Sequence, residues 1–338
     1  VLFFPVLVAG PIMRAEDFFP NLERKEPETN HIYKACFLMM SGLIKKILIA
    51  DPMASFVSPV YANPSEYNNY SLLLAAIFYT IQLYGDFSGL TDMARSVSYF
   101  LGFEIPENFH APFFSSSVRE FWKRWHVTLS SWLQDYIYFP LGGSRLGEFR
   151  TYINLILTMT IGGFWHGADY TFIAWGFYLG IILSIEKLFY KYTGEEETKN
   201  RLVILFKILF THLLISISVM FFRSNSTELM FDFFKGLAYN YPEQIRNLLT
   251  SKGDIWLLNS LELVQSEKSF MMNQIKNIDS AFNMYLALLV FHLFQFKPEL
   301  LNRFEKYKFS LVIILGVITI FLLTTLSQDG EGFVYTTF

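Results

Sequence analysis

The chain holds a single cysteine, Cys36, among its 338 residues. That excludes an intrachain disulfide and any metal site built from cysteines. Charge is scarce as well: Asp, Glu, Lys and Arg make up 17% of the residues, against about 25% in ordinary soluble domains. The net charge of −3 leaves no basic field to hold nucleic acid. No Gly-rich phosphate loop, GxSxG elbow, HExxH or HxxxH spacing occurs, so the usual nucleotide, serine-hydrolase and zinc-protease signatures are missing. The first residue is Val1, which opens an apolar run over residues 1–12 with no basic stretch and no small-residue cleavage site. That run is not a signal peptide, and the chain reads as truncated at its N-terminus. There is no internal repeat and no low-complexity segment.

What is present in quantity is apolar and aromatic. Hydrophobic residues reach 52% and aromatic ones 18%, with 37 Phe and 19 Tyr. They form long runs, as in a body bathed in lipid with aromatic belts at its edges. Candidate spans are residues 70–84, 170–190, 202–222, 282–296 and 309–325. Residues 33–60 carry Lys45, Lys46, Asp51 and Pro52 and read as a broken or interfacial pair of helices. The run 153–164 is too short to span easily alone. Residues 85–103 and 118–139 are too polar for lipid yet too apolar for free loops, so half-membrane or interfacial elements are expected there. Within the latter, Val118, Phe121, Trp122, Trp125, Leu129, Trp132, Leu133 and Tyr136 recur at helical spacing. That pattern predicts an amphipathic helix over 118–136 with Arg119, Lys123, His126, Ser130 and Gln134 on its polar face.

The expected fold class is therefore all-α: a polytopic transmembrane helical protein with broken and interfacial helices around a central pore. It would form one membrane domain over 1–338, with a motif-bearing part at 1–190 and C-terminal helices at 191–338. A polar outer loop is expected around 223–279. Lys297, Arg303, Lys306 and Lys308 place the loop between the last two spans in the cytoplasm by the positive-inside rule. Counting back puts the Trp165–Asp169 turn toward the outer side.

Six histidines are present. His31 and His110 lie in polar turns, and His212 and His292 lie in apolar runs where a packing role is favoured. His166 is distinct. It sits in Gly162-Gly163-Phe164-Trp165-His166-Gly167, at the end of an apolar helix. Ionisable groups at membrane depth are usually functional, and a neutral imidazole there can serve as a general base. The flanking glycines would leave room for a ligand. A capping or packing histidine is the competing reading. His126, on the polar face, is either an active-site partner or an interfacial polar group. Asp86 and Asp92 need partners, with Arg95 near in sequence. They form either buried ion pairs or a catalytic base. The pattern supports no metal site. On physical grounds alone, a transporter with broken helices fits as well, and so does a non-catalytic membrane anchor.

An ordered series of motifs narrows this. Phe4-Pro5, Val8-Ala9-Gly10-Pro11-Ile12 and Arg14 come first, then Gly42-Leu43-Ile44-Lys45-Lys46 with Ala50-Asp51. Tyr84-Gly85-Asp86-Phe87-Ser88-Gly89 and Pro106-Glu107-Asn108-Phe109 follow. Next are Phe121-Trp122-Lys123-Arg124-Trp125-His126, Leu129-Ser130-Ser131-Trp132 and Tyr138-Phe139-Pro140-Leu141-Gly142-Gly143. Gly163-Phe164-Trp165-His166-Gly167 completes the set. The series resembles the membrane-bound O-acyltransferases, in their bacterial branch similar to alginate O-acetyltransferases.

The resemblance implies that His166 is the essential histidine and His126 the second family histidine. Trp165, Trp125, Arg124 and Asp86 become the expected substrate contacts. It also implies a multi-pass protein of the bacterial inner membrane whose helices surround a pore narrowing toward His166. The acyl group would arrive on a cytoplasmic thioester, acetyl-CoA or an acyl carrier protein, with no tightly bound cofactor. It would leave on a hydroxyl of an exported polysaccharide, with a separate exported acetyltransferase-like protein as partner. D-alanyl transfer to cell-wall polymers is the alternative within the family. One departure is the C-terminus, Phe333-Val334-Tyr335-Thr336-Thr337-Phe338, where the branch carries a more Phe-rich ending.

Overall fold

The computed structural model describes residues 3–7, 10–23, 29–194, 198–239 and 308–326. Among them all regular elements are helical, and the one strand-like feature is an isolated antiparallel bridge between Phe109 and Trp125. The helices are α1 (Ala15–Leu22), α2 (Thr29–Ile44), α3 (Asp51–Ala62), α4 (Asn69–Phe100), α5 (Val118–Trp122), α6 (Val127–Leu133), α7 (Glu148–His166), α8 (Tyr170–Thr193), α9 (Arg201–Arg223), α10 (Thr227–Tyr239) and α11 (Lys308–Leu326). The 282–296 run, His292, the basic cluster from Lys297 to Lys306, the polar stretch beyond Tyr239 and the C-terminal ending lie outside the described residues.

The run expected to break over 33–60 follows one helical path. α2 passes through π-helical winding at Lys45–Ala50 straight into α3, with right-handed helical backbone at Ile44, Ala50 and Asp51. Pro52 supplies the reason. It has no N–H and its ring crowds the carbonyl one turn back, and a locally wider winding relieves both.

α4 is the centre of the structure, 32 residues or about 48 Å long. Asn68 starts it by accepting the Ser71 N–H at 3.0 Å. It absorbs both the 70–84 run and most of the stretch 85–103 expected to be a half-membrane element. The helix can continue because its polar groups find partners on the helix beside it. Lys45 Nζ donates to Asp92 at 2.7 Å and Ser41 Oγ to the same carboxylate at 3.2 Å. Lys46 Nζ lies 2.9 Å from Asp86 and 2.8 Å from Asp51. The ion-pair reading of the two aspartates is the one the structure carries. Their cations are these lysines, while Arg95 pairs with Glu107 at 3.2 Å. Close backbone approach makes the pairing possible: a Cβ on Gly42 would lie 2.6 Å from the Gly89 carbonyl, and one on Gly89 2.8 Å from the Gly42 carbonyl. α4 also packs against α3, α9 and α10, and α11 packs on α2.

α7 and α8 form an antiparallel hairpin. α7 extends past both ends of the 153–164 run, and at its start Thr151 Oγ1 donates to the Gly147 carbonyl at 2.8 Å. Asn154 Nδ2 donates to the Gly143 carbonyl at 2.9 Å, and Thr158 Oγ1 donates to the Asn154 carbonyl at 2.7 Å. Asp169 caps α8 by accepting the Thr171 N–H at 3.0 Å. Among the described residues, α8 and α9 are long and apolar enough to cross a bilayer. Their outward residues are apolar and exposed, including Phe177, Ile185, Phe206 and Phe210, as a lipid-facing surface requires.

Candidate active site

His126 and His166 reach the same cavity from different elements. His166 is the last residue of α7, before Gly167. Its ring meets those of Trp165, Trp175 and Phe222 edge-on at 5.0, 5.2 and 5.3 Å. His126 is nearly buried, and Phe87 of α4 meets its ring edge-on at 4.7 Å. His126 and His166 are the two histidines of one cavity lining. Both line a cavity of about 680 Å³ bounded by α5, α6, α7, α8 and α9. His166 is thus on the wall of a space that can hold a ligand, as acid–base chemistry requires.

The cavity is elongated along the hairpin. It includes Trp175 and Lys191, sixteen positions apart on α8, or about 24 Å along a helix axis. The histidine end is walled by Met159, Gly162, Trp175 and Phe222. Leu133, Leu155 and Leu183 line the middle. The far end carries Arg119, Lys123, Glu186, Lys187, Tyr190 and Lys191. These four cations face two carboxylates, Glu186 and Glu148, the latter paired with Lys191 at 2.6 Å, so that mouth keeps an excess of positive charge.

The expected helix over 118–136 is interrupted where it carries chemistry. α5 ends at Trp122, α6 begins at Val127, and His126 between them adopts left-handed backbone, φ 43° and ψ 53°. π-helical winding follows at Gln134–Tyr138. The heptad-like apolar spacing survives the break, so periodicity could not reveal it. Glu186 holds the start of α5, accepting the Val118 N–H at 2.6 Å and the Arg119 N–H at 3.1 Å. Glu120, outside the two spans, accepts from the Ser116 N–H and hydroxyl at 2.8 and 2.9 Å and from Arg124 at 2.8 Å. Burial pushes its carboxyl up, but these donors outweigh burial and keep it below the usual carboxylate value.

The remaining expected contacts divide. Trp125 lines the cavity and stacks on Phe121 at 5.3 Å. Arg124 does not line it; its guanidinium is occupied by Glu120 and by the His110 carbonyl at 3.2 Å. Trp165 does not line the cavity and is half exposed, with its ring edge-on to His166. Asp86 is wholly buried in the lysine pairs behind the site. Of the glycines flanking His166, Gly162 lines the cavity, while Gly163 and Gly167 serve packing. A Cβ on Gly163 would collide with the Phe172 carbonyl, and one on Gly167 would lie 2.6 Å from the Phe172 ring. His212 packs edge-on against Phe113 at 5.0 Å. Among the described residues no three His, Cys, Asp or Glu side chains converge as a metal site would need.

Sequence reasoning missed Glu186 and the lysines beside it. Glu186 did carry a signal, a lone carboxylate within an apolar span. Trp175 and Phe222 around His166 carried none, since an aromatic in such a run is ordinary.

The family model described as MBOAT, membrane-bound O-acyltransferase family, matches residues 1–225. The probable alginate O-acetylase AlgI of Pseudomonas putida is 40% identical over 228 residues, which cover 67% of this chain and 45% of that protein. The peptidoglycan O-acetyltransferase of Helicobacter pylori is 36% identical over 241 residues, 70% of this chain and 45% of that protein. A teichoic acid D-alanyltransferase of Bacillus subtilis is 30% identical over 207 residues, 58% of this chain and 52% of that protein. The matched region thus spans about half the length of these relatives. The family match covers α1 to α9 and takes in both histidines and the cavity between them; this chain belongs to the membrane-bound O-acyltransferase family.

Proposed function

We propose that the chain is the histidine-bearing part of a membrane O-acyltransferase that moves an acyl group, acetyl rather than D-alanyl, from a thioester to hydroxyls of an exported cell-surface polysaccharide. The observation that carries this reading is the meeting of His126 and His166 in one elongated cavity with an electropositive far end. Thioester carriers such as acetyl-CoA or an acyl carrier protein bear phosphate, which suits the lysine-rich mouth. Acceptor and thioester would meet at the histidine end.

In the proposed step His166 takes the proton of the acceptor hydroxyl as its oxygen attacks the thioester carbonyl. The carbon–sulfur bond then breaks, and the imidazolium returns the proton to the departing thiolate. Ester and free thiol are the products, with no acyl-enzyme required. General-base assistance of this kind supplies roughly 10² to 10⁴ in rate. Holding both substrates together in a walled cavity supplies the greater part. His126 orients the thioester carbonyl or the acceptor. The protein would work in the bacterial inner membrane with several spans around the cavity, beside an exported acetyltransferase-like partner that hands the group to the polymer. The acetyl preference rests on the O-acetylase and O-acetyltransferase relatives, which are more similar than the D-alanyltransferases.

Mass analysis of surface polysaccharide from cells with and without the gene tests the reading. Loss of acetyl esters on deletion supports it. Loss of D-alanyl esters moves the chain to the other branch, and an unchanged polymer rejects both.

A further inference from the structure

The expected continuous helix over 118–136 breaks at the residue that the site needs, and Asn108 stands at the break. In an uninterrupted helix the N–H groups of Val127 and Thr128 would bond the carbonyls of Lys123 and Arg124. Here both acceptors are replaced by one residue. The Asn108 carbonyl accepts the Val127 N–H at 3.1 Å. Its side-chain Oδ1 accepts the Thr128 N–H at 3.3 Å and the Thr128 hydroxyl at 2.6 Å. The Arg124 carbonyl, released from the helix, accepts the His110 N–H at 2.9 Å. Thr128 Oγ1 in turn accepts the Ile12 N–H at 3.0 Å.

His126 occupies the N-cap position of α6, yet its side chain makes no capping bond. A residue at that position ordinarily caps the first turn itself. Asn108 does so from outside the helix, and it is 1% exposed. Strain is concentrated at the same place. Among the described residues the non-glycine positions with positive φ are Ala111 and His126, one in each of the two facing segments that the Phe109–Trp125 bridge joins. Left-handed backbone at such residues persists only where the surroundings impose it.

We infer that Asn108 is the positioning residue of His126: it caps α6 in that residue's place, holds the left-handed break open, and leaves the imidazole free to face the cavity. Its functional consequence rests on the acyl-transfer reading above, whereas the positional claim does not.

The test uses the full chain in lipid nanodiscs and two readouts. The first is carbethoxylation by diethyl pyrocarbonate without substrates, with His126 and His166 followed separately by mass spectrometry. Asn108→Ala should speed labelling at His126 by about threefold or more as the segment opens locally, with His166 labelled at the wild-type rate. Thr128→Val, which keeps the shape but removes the hydroxyl bond, should move His126 in the same direction. Asn108→Asp retains the Oδ acceptor and should restore the wild-type rate. The Asn108 amide nitrogen has no acceptor among the described residues, so that exchange removes no bond. The second readout is transfer kinetics: Asn108→Ala should lower kcat by on the order of 10- to 100-fold with little change in donor KM, as misplacement of a catalytic group does. Unchanged His126 labelling in both Asn108→Ala and Thr128→Val would overturn the inference. So would an equal change at His166, or failure of Asn108→Asp to restore labelling. A wild-type protein with no transferase activity would sink the proposed reaction, and the labelling would still decide the role of Asn108.

Discussion

Substituting Asp92 by Asn isolates a lysine that has nowhere else to go. Lys45 is 1% exposed, and its Nζ is 2.7 Å from Asp92 Oδ2. The amide keeps a hydrogen bond but removes the counter-charge, leaving an ammonium inside the α2–α4 contact. Breaking one partner of a buried pair typically costs about 3–5 kcal/mol. Deleting both charges is a different matter, because the desolvation of each disappears with it. Lys45→Met with Asp92→Leu should fall within about 1–2 kcal/mol of wild type, the residue being mostly the lost Ser41 bond. The assay is denaturant unfolding in detergent micelles followed by tryptophan fluorescence. The expected order is wild type, then the double variant, with Asp92→Asn well below both. If Asp92→Asn unfolds within about 1 kcal/mol of wild type, or the double variant is as weak as the single one, the charges are not sealed together as described.

Three further outcomes follow from other parts of the structure. Gly176→Ala places a Cβ against the Met159 carbonyl, so the α7–α8 hairpin must spread; transfer should fall by on the order of 100-fold while the protein still inserts, read by activity against membrane yield. Lys187→Gln should raise the donor KM by roughly 2- to 5-fold and leave kcat unchanged, since an exposed charge contributes up to about 1 kcal/mol; an unchanged KM would remove the mouth from donor binding. Glu120 is held below the ordinary carboxylate value of 4.5, so its contribution is present above that pH and is lost as pH falls through its own lower value. Unfolding midpoints measured from pH 6 downward should therefore drop less steeply for Glu120→Gln than for wild type.

The sequence made the helical class, the long apolar runs and both histidines legible, because hydropathy and the Trp-His contexts are local signals. It failed where partners came from afar. Residues 85–103 read as a half-membrane or interfacial element, since nothing local says that Lys45 and Lys46 arrive from α2 and its π winding to meet Asp92 and Asp86. Apolar spacing over 118–136 matched one helix, since the bonds that break it come from Asn108, a residue earlier noted only within a motif. Trp165 and Arg124 were expected at the site because they sit beside the two histidines in the motifs that carry the family resemblance. Which side of a helix end faces the cavity is set by packing against α8 and α9, and adjacency cannot supply it. Of the lysines at the mouth, Lys187 and Lys191 belong to a turn of α8 far in sequence from either histidine, whereas Lys123 lies three residues before His126.

In the proposed reaction the His166 imidazole moves the proton that makes acyl transfer possible. Its most direct measurement is transfer of labelled acetyl from acetyl-CoA, and from an acetylated carrier protein, to polysaccharide by proteoliposomes holding the full-length protein with His166→Ala. Normal insertion is expected, with a rate at least about 10²-fold below wild type with either donor. Transfer at the wild-type rate would contradict it.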